Sequence, residues 1–151
     1  MELRKAIDSD IDWLVEQAKE FAKFYGSTKL LVDDINFSKE YIAGIIKHHF
    51  FKIAEKDGVR LGFIAGLVVP HHFNPKIKML HELLWWVPEI HRSTKAGSIL
   101  LDDFIAYGKE HCDWITFTLE DNTPIDDSVL LRRGFRMKEK SYLLETNKWP
   151  R

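Results

Sequence analysis

Three β-rich runs follow one another between Phe50 and Val87 with only short connections, and they limit the possible folds more than any other feature of the chain. Phe50 to Ala54 and Val59 to Val69 are separated by Glu55-Lys56-Asp57-Gly58, and Asp-Gly between apolar runs is a strong hairpin signal. Pro70-His71-His72-Phe73-Asn74-Pro75 breaks the pattern with two prolines before the third run, Ile77 to Val87. Antiparallel strands are expected here. From Lys95 the period changes. Ile99, Leu100, Leu101, Phe104, Ile105 and Gly108 suit a helix that presses a broad apolar face on a sheet and ends near His111.

The flanking segments complete the order. Glu2 to Ile7 alternates as a short strand, and Asp8-Ser9-Asp10 supplies acceptors for the free N–H groups of a helix start. Ile11, Leu14, Val15, Ala18, Phe21, Ala22 and Tyr25 then recur on one stripe, with Gly26 as a natural stop. Asp33 to Phe37 reads as a connection, and Ser38 opens a second helix to about His49. Trp114 to Leu119 has the composition of a buried strand, followed by a polar turn from Glu120 to Pro124. Asp126-Asp127-Ser128 starts a short helix closed by Gly134, and Phe135 to Leu144 alternates as a last strand. The predicted order is β-α-α-β-β-β-α-β-α-β. A single mixed α/β domain over residues 1–151 is expected, with a mostly antiparallel sheet flanked by helices on both faces, and not a regular doubly wound sheet.

Composition narrows the function classes. The 151 residues carry 22 Lys+Arg against 23 Asp+Glu, and 45% are hydrophobic. Near-neutral balance argues against broad electrostatic binding to nucleic acid or anionic lipid, and no aromatic-plus-basic stacking strip is evident. Cys112 is the one cysteine, so a disulfide within the chain and a cysteine-based zinc site are both excluded. The seven histidines show no metal-ligand spacing, and no metal is expected. The longest oily passage, Leu61 to Val69, falls short of the about 20 residues a membrane span needs. The opening Met-Glu-Leu-Arg-Lys lacks the apolar stretch of a secretory signal, so a cytoplasmic protein is expected.

Chemistry concentrates between Glu82 and Leu101. A strand leads into a small-residue loop, which opens a helix whose first turn lacks bulky side chains. Such a start offers unpaired N–H groups and the positive end of the helix dipole to phosphate oxygens. Arg92 and Lys95 add charge, Ser93, Thr94 and Ser98 offer hydroxyls, and Gly97 would let a ligand approach the backbone. An ordinary strand-to-helix turn has the same composition.

The segment resembles the acyl-CoA motif of the GNAT-type N-acetyltransferases: glutamine or arginine, two residues, glycine, one residue, then glycine or alanine. Arg92-Ser93-Thr94-Lys95-Ala96-Gly97 stands in its place, with Lys95 where the middle glycine is usual. Val87 is similar to the valine ending the family's fourth strand, although the following proline is displaced to Pro88. Glu2 to Ala6, the hairpin Ala54 to Ile64, and Arg133-Gly134-Phe135 resemble further family elements in the right order, so the likeness covers nearly the whole chain. Glu82-Leu83 with the aromatic pair, and Ser141-Tyr142-Leu143, resemble small acetyltransferases encoded by bacteriophages.

The resemblance implies acetyl transfer from acetyl-CoA to an amine by direct attack. It implies that Trp85, Trp86 and Val87 lend backbone to the pantetheine arm, and that residues Arg92, Ser93, Thr94, Lys95, Ala96, Gly97 and Ser98 hold the pyrophosphate. Asn122 lies about where the family places a cofactor-contacting asparagine; a turn asparagine before Pro124 reads equally well. Many family members protonate the departing sulfur with a tyrosine four residues before the glycine of the last helix. That position is Leu130, leaving Tyr142, Ser128 or water as substitutes. Glu82, amid apolar neighbours, is the candidate base, since burial favours a raised pKa; a salt-bridged strand carboxylate is its bland alternative. His81 would face the other way.

Other residues carry less. His71 and His72 lie in a loop where the family admits its acceptor, although adjacent loop histidines are commonly just exposed. The acidic residues 120–122 and 126–127 could attract a cationic amine or form a solvated turn. Exposed edge strands in such folds can pair as a homodimer. The rival to an enzyme is a fold relative that keeps CoA only as a ligand, motivated by Leu130 and Lys95.

Overall fold

A computed structural model describes residues 1–24 and 35–146. The expected helix stop at Tyr25-Gly26 and the start of the Asp33 connection lie outside the described residues. Two compact units are formed, residues 1–118 and residues 119 onward. The first unit contains β1 (Glu2–Lys5), α1 (Ile11–Phe24), α2 (Ile35–His48), β2 (Phe50–Lys56), β3 (Val59–Pro70), β4 (Lys78–Trp86), α3 (Ala96–His111) and β5 (Trp114–Thr116). The second contains α4 (Ser128–Leu131).

The five strands form one sheet in the order β1-β2-β3-β4-β5. The first three pairings are antiparallel, and β4 pairs with β5 in parallel through the α3 crossover. The β2–β3 hairpin turns on Asp57 (φ 52) and Gly58 (φ 76), two successive left-handed residues that match the twist of an antiparallel pair. Alternation along the strands supplies two cores. Ile53, Phe63, Ala65 and Trp86 pack with Leu14 and Ile45 under α1 and α2. Ala54, Ile64 and Leu80 pack with Ala96, Leu100 and Phe104 under α3. Each fully buried Leu, Ile or Phe stabilises by roughly 1.5–3 kcal/mol relative to exposure.

The β3–β4 ladder skips one residue. Ala65 pairs with Leu84 and Gly66 with Glu82, leaving Leu83 as a bulge. Leu83 and Leu84 consequently both pack toward the α1/α2 core, after which Trp85 goes to the α3 core and Trp86 to the other. A second network ties the sheet's first edge. Asp10, wholly buried, takes the Arg4 guanidinium through both oxygens at 2.8 and 2.9 Å, Arg60 Nε at 2.8 Å and the Ile7 amide at 2.9 Å. Burial alone would raise this carboxyl; the hydrogen bonds from Arg4, Ile7 and Arg60 outweigh it and hold the group well below the ordinary carboxylate range.

Three expectations need correction. The second helix starts at Ile35, not Ser38, because Phe37 joins its apolar side: the Phe37 ring stacks on Tyr41 one turn later at 6.3 Å. β5 ends at Thr116 and is half exposed, because β4 pairs with it over three residues only. Residues 135–144 form no strand. Alternation gives a strand only where an edge accepts its hydrogen bonds, and here Met137, Tyr142, Leu143 and Leu144 stay exposed among charged neighbours. The last strand is therefore missing from the observed order. Among the described residues no helix is long and apolar enough to cross a membrane.

Candidate functional site

Two features of the first unit converge at the C-terminal end of β4. The first is a fork in the sheet. β5 pairs with β4 only at Met79–Trp114, Leu80–Ile115 and His81–Thr116, whereas β4 continues beside β3 to the Phe63–Trp86 pair. Asp113 fixes the closed end: its amide donates to the Lys78 carbonyl and its carboxylate accepts from the Lys78 amide, both at 2.8 Å. Beyond His81, among the described residues, no strand covers that edge of β4. Backbone groups on such an edge are left for another partner.

Glu82 sits at the branching point. It is 8% exposed, and its Oε2 lies 3.5 Å from the Thr118 amide nitrogen, just past the end of the β5 ladder. On the adjacent register position His81 Nδ1 lies 2.7 Å from Thr116 Oγ1, so the two side chains leave opposite faces of the strand.

The second feature is the start of α3, reached from β4 through a 3-10 turn at Glu89–His91. Thr94 organises this start by donating its hydroxyl to the His91 carbonyl (2.6 Å) and accepting from the Ala96 amide (3.2 Å). Among the described residues the amides of Ser93, Lys95, Gly97 and Ser98 donate to no protein acceptor, and the dipole of a 16-residue helix begins there. Ser93, Thr94, Lys95 and Ser98 are exposed, while Ala96 is fully buried and contributes packing. A Cβ on Gly97 would meet Trp85 and Val87 at 3.6 and 3.7 Å. Its missing side chain points at the strand, so the expected role of admitting a ligand is not one the local packing requires.

Arg92 does not extend into solvent. Its Nε donates to the Val87 carbonyl at 3.0 Å, and its guanidinium lies over the rings of Phe24 (4.8 Å) and Trp86 (5.0 Å). Trp86 is in turn anchored by Nε1 donating to Gln17 Oε1 at 3.0 Å. Trp85 differs. Its Nε1 is sealed from solvent and has no hydrogen-bond partner among the described residues, while its ring meets Phe117 edge-on at 5.6 Å. An unpaired buried donor costs about 1–3 kcal/mol, which an acceptor on a ligand would relieve.

Glu82, residues 85–87 and residues 92–98 thus share one end of β4. Asn122, in a turn, and Tyr142, 88% exposed, belong to the second unit, as does Leu130. His71 and His72 stack on each other at 4.6 Å beside Trp114, beyond the Pro70–Lys78 pair at the opposite end of β4 from Trp86. Burial raises the Cys112 thiol above its ordinary value, which makes it a poor nucleophile. Among the described residues no group of three or more His, Cys, Asp or Glu is placed to hold a metal ion. Sequence reasoning missed Gln17, Thr116 and Thr118. Thr94 alone carried a signal, as a hydroxyl residue two positions ahead of a helix.

No family model matches the sequence, and no curated protein matches it. Solved structures do. A predicted acetyltransferase from Clostridium acetobutylicum with acetyl-CoA is 16% identical, with 95% of each chain covered and a TM-score of 0.73. A ribosomal-protein-alanine N-acetyltransferase from Brucella melitensis biovar Abortus 2308 is 12% identical, covers 96% of this chain and 99% of its own, and has a TM-score of 0.68. A transcriptional regulator from Bacillus halodurans C-125 is 15% identical, with 95% and 98% covered and a TM-score of 0.77. These likenesses establish the fold. The chain shares with them a mostly antiparallel five-stranded sheet with helices on both faces.

Proposed function

We propose that this chain is an acetyl-CoA-dependent N-acetyltransferase that passes the acetyl group to a primary amine by direct attack. The observation carrying this reading is the fork: among the described residues no strand pairs with that edge of β4 beyond His81, and β4 leads through the Glu89–His91 turn to the unpaired amides of the α3 start. The free amides of residues 93, 95, 97 and 98, with Lys95 above them, fit a pyrophosphate. The β4 edge at residues 85–87 and the orphaned Trp85 Nε1 fit the amide-bearing pantetheine arm. Arg92 supports this connection from behind. Acetyl-CoA would supply an acyl carbon already activated as a thioester. Glu82 would accept the proton of the incoming ammonium, directly or through water, and Tyr142 would return one to the thiolate.

Calorimetry with acetyl-CoA tests the binding half, and no heat at millimolar ligand would remove it. Lys95→Glu should weaken binding at least tenfold by placing an anion at the helix start. Glu82→Gln should lower turnover by roughly a hundredfold or more, the usual scale of general base catalysis, with acetyl-CoA affinity unchanged. A second reading, a protein that binds CoA without chemistry, draws on Leu130, an apolar residue only 8% exposed where the family resemblance sets a tyrosine. Binding without thiol release across an amine panel would favour it.

A further inference from the structure

The branching point of the fork carries a second proton acceptor. Of the seven histidines, His81 is the one set within a strand, and with Thr116 it forms the last rung of the β4–β5 ladder. Its partner across on β3 is Leu67, which packs on the α1/α2 core, so the imidazole lies on that side of the sheet. Glu82 pairs with Gly66, where a Cβ would meet Phe104 and Leu80 of the α3 core, so its carboxylate lies on the other side. The mouth of the fork is thus flanked by a carboxylate on one face and an imidazole on the other. The His81 ring is half-buried, its Nδ1 lies 2.7 Å from Thr116 Oγ1, and among the described residues its Nε2 has no protein partner.

Resting on the transferase reading above, we infer that His81 is a second catalytic base of this site and that Thr116 is the residue that positions it. The chemistry calls for two acceptors. Turning an ammonium and a thioester into an amide and a thiol removes two protons from nitrogen and adds one to sulfur, so one proton is released overall. The first must leave before attack, to expose the nitrogen lone pair, and is the one assigned to Glu82. Attack then forms the C–N bond, the C–S bond breaks with its electron pair on sulfur, and nitrogen still carries a surplus proton. His81 takes it at Nε2. Glu82, 8% exposed, does not serve twice, because once protonated it accepts nothing until solvent reclaims its proton. Nε2 accepts only while the ring's own proton sits on Nδ1, and a hydrogen bond donated from Nδ1 to Thr116 Oγ1 fixes that tautomer.

Nitrogen NMR of isotope-labelled histidine in the protein without acetyl-CoA should show neutral His81 with its proton on Nδ1. Thr116→Val should abolish that preference and Thr116→Ser should keep it. Turnover is read as thiol release from acetyl-CoA across a panel of alkylamines, polyamines and N-terminal peptides. With the best acceptor of that panel, His81→Gln should lower kcat at least tenfold, while the KM for that amine and the affinity for acetyl-CoA change less than threefold. Thr116→Val should lower kcat at least threefold, and Thr116→Ser should restore it. His81 protonated on Nε2, or a smaller loss of kcat in His81→Gln, would overturn the inference and leave the transferase reading standing. No thiol release with any amine in the unchanged chain would overturn both.

Discussion

Asp10 shows how much a single side chain can organise. It joins β1 through Arg4, the hairpin through Arg60 and the start of the first helix through the Ile7 amide, and Arg4 also reaches Glu55 at 2.8 Å. Removing one partner of a sealed ion pair costs about 3–5 kcal/mol; Arg4 and Arg60 retain 26% and 32% exposure, so Asp10→Asn should cost less, about 2–3 kcal/mol in denaturant unfolding. The pH dependence follows from the lowered carboxyl. Stability from Asp10 is fully present above its ordinary value of 3.8 and is lost as pH falls through the lower folded value. Acid titration of the melting temperature should therefore show a steeper fall below about pH 4 in the native chain than in Asp10→Asn. None of this could be read beforehand, because Asp10 first looked like a helix-start acceptor, and both its partner Arg60 and the second partner of Arg4, Glu55, lie far away in the chain.

Within one helix, α3 contains two glycines under opposite constraints. A Cβ on Gly108 would come within 2.5 Å of Ile115 Cγ1 on the neighbouring strand, whereas one on Gly97 would find ordinary contacts. Gly108→Ala should thus destabilise by about 1–3 kcal/mol through overpacking. Gly97→Ala should leave the melting temperature unchanged or slightly higher, since alanine is the better helix former by up to about 1 kcal/mol. Thermal melts of the two variants decide between these outcomes. Periodicity was enough to locate α3, and Asp57-Gly58 was enough to place the hairpin, because both signals are local. The fork was not legible in this way. Trp114 to Leu119 reads as one strand, and its early end at Thr116 depends on where β4 stops accepting it. Leu83 was equally hidden, since a bulge is a relation between two strands and leaves no mark on either alone.

At the scale of the molecule, order is unevenly distributed. The first unit encloses both cores, while residues 136–146 are exposed and without regular structure. Limited trypsin digestion should cut first after Arg136, Lys138 or Lys140, leaving a fragment that still contains the whole sheet; first cuts at Arg4 or Arg60 would contradict this distribution. The fork also bears on how the fold could change over time. Its opening is created by hydrogen bonds left unmade between two neighbouring segments. Substitutions that helped residues 117–119 zip onto β4 would make a sturdier sheet and seal the mouth in the same act. Selection for toughness alone would thus tend to close this molecule, and only continued use of the gap would keep it open.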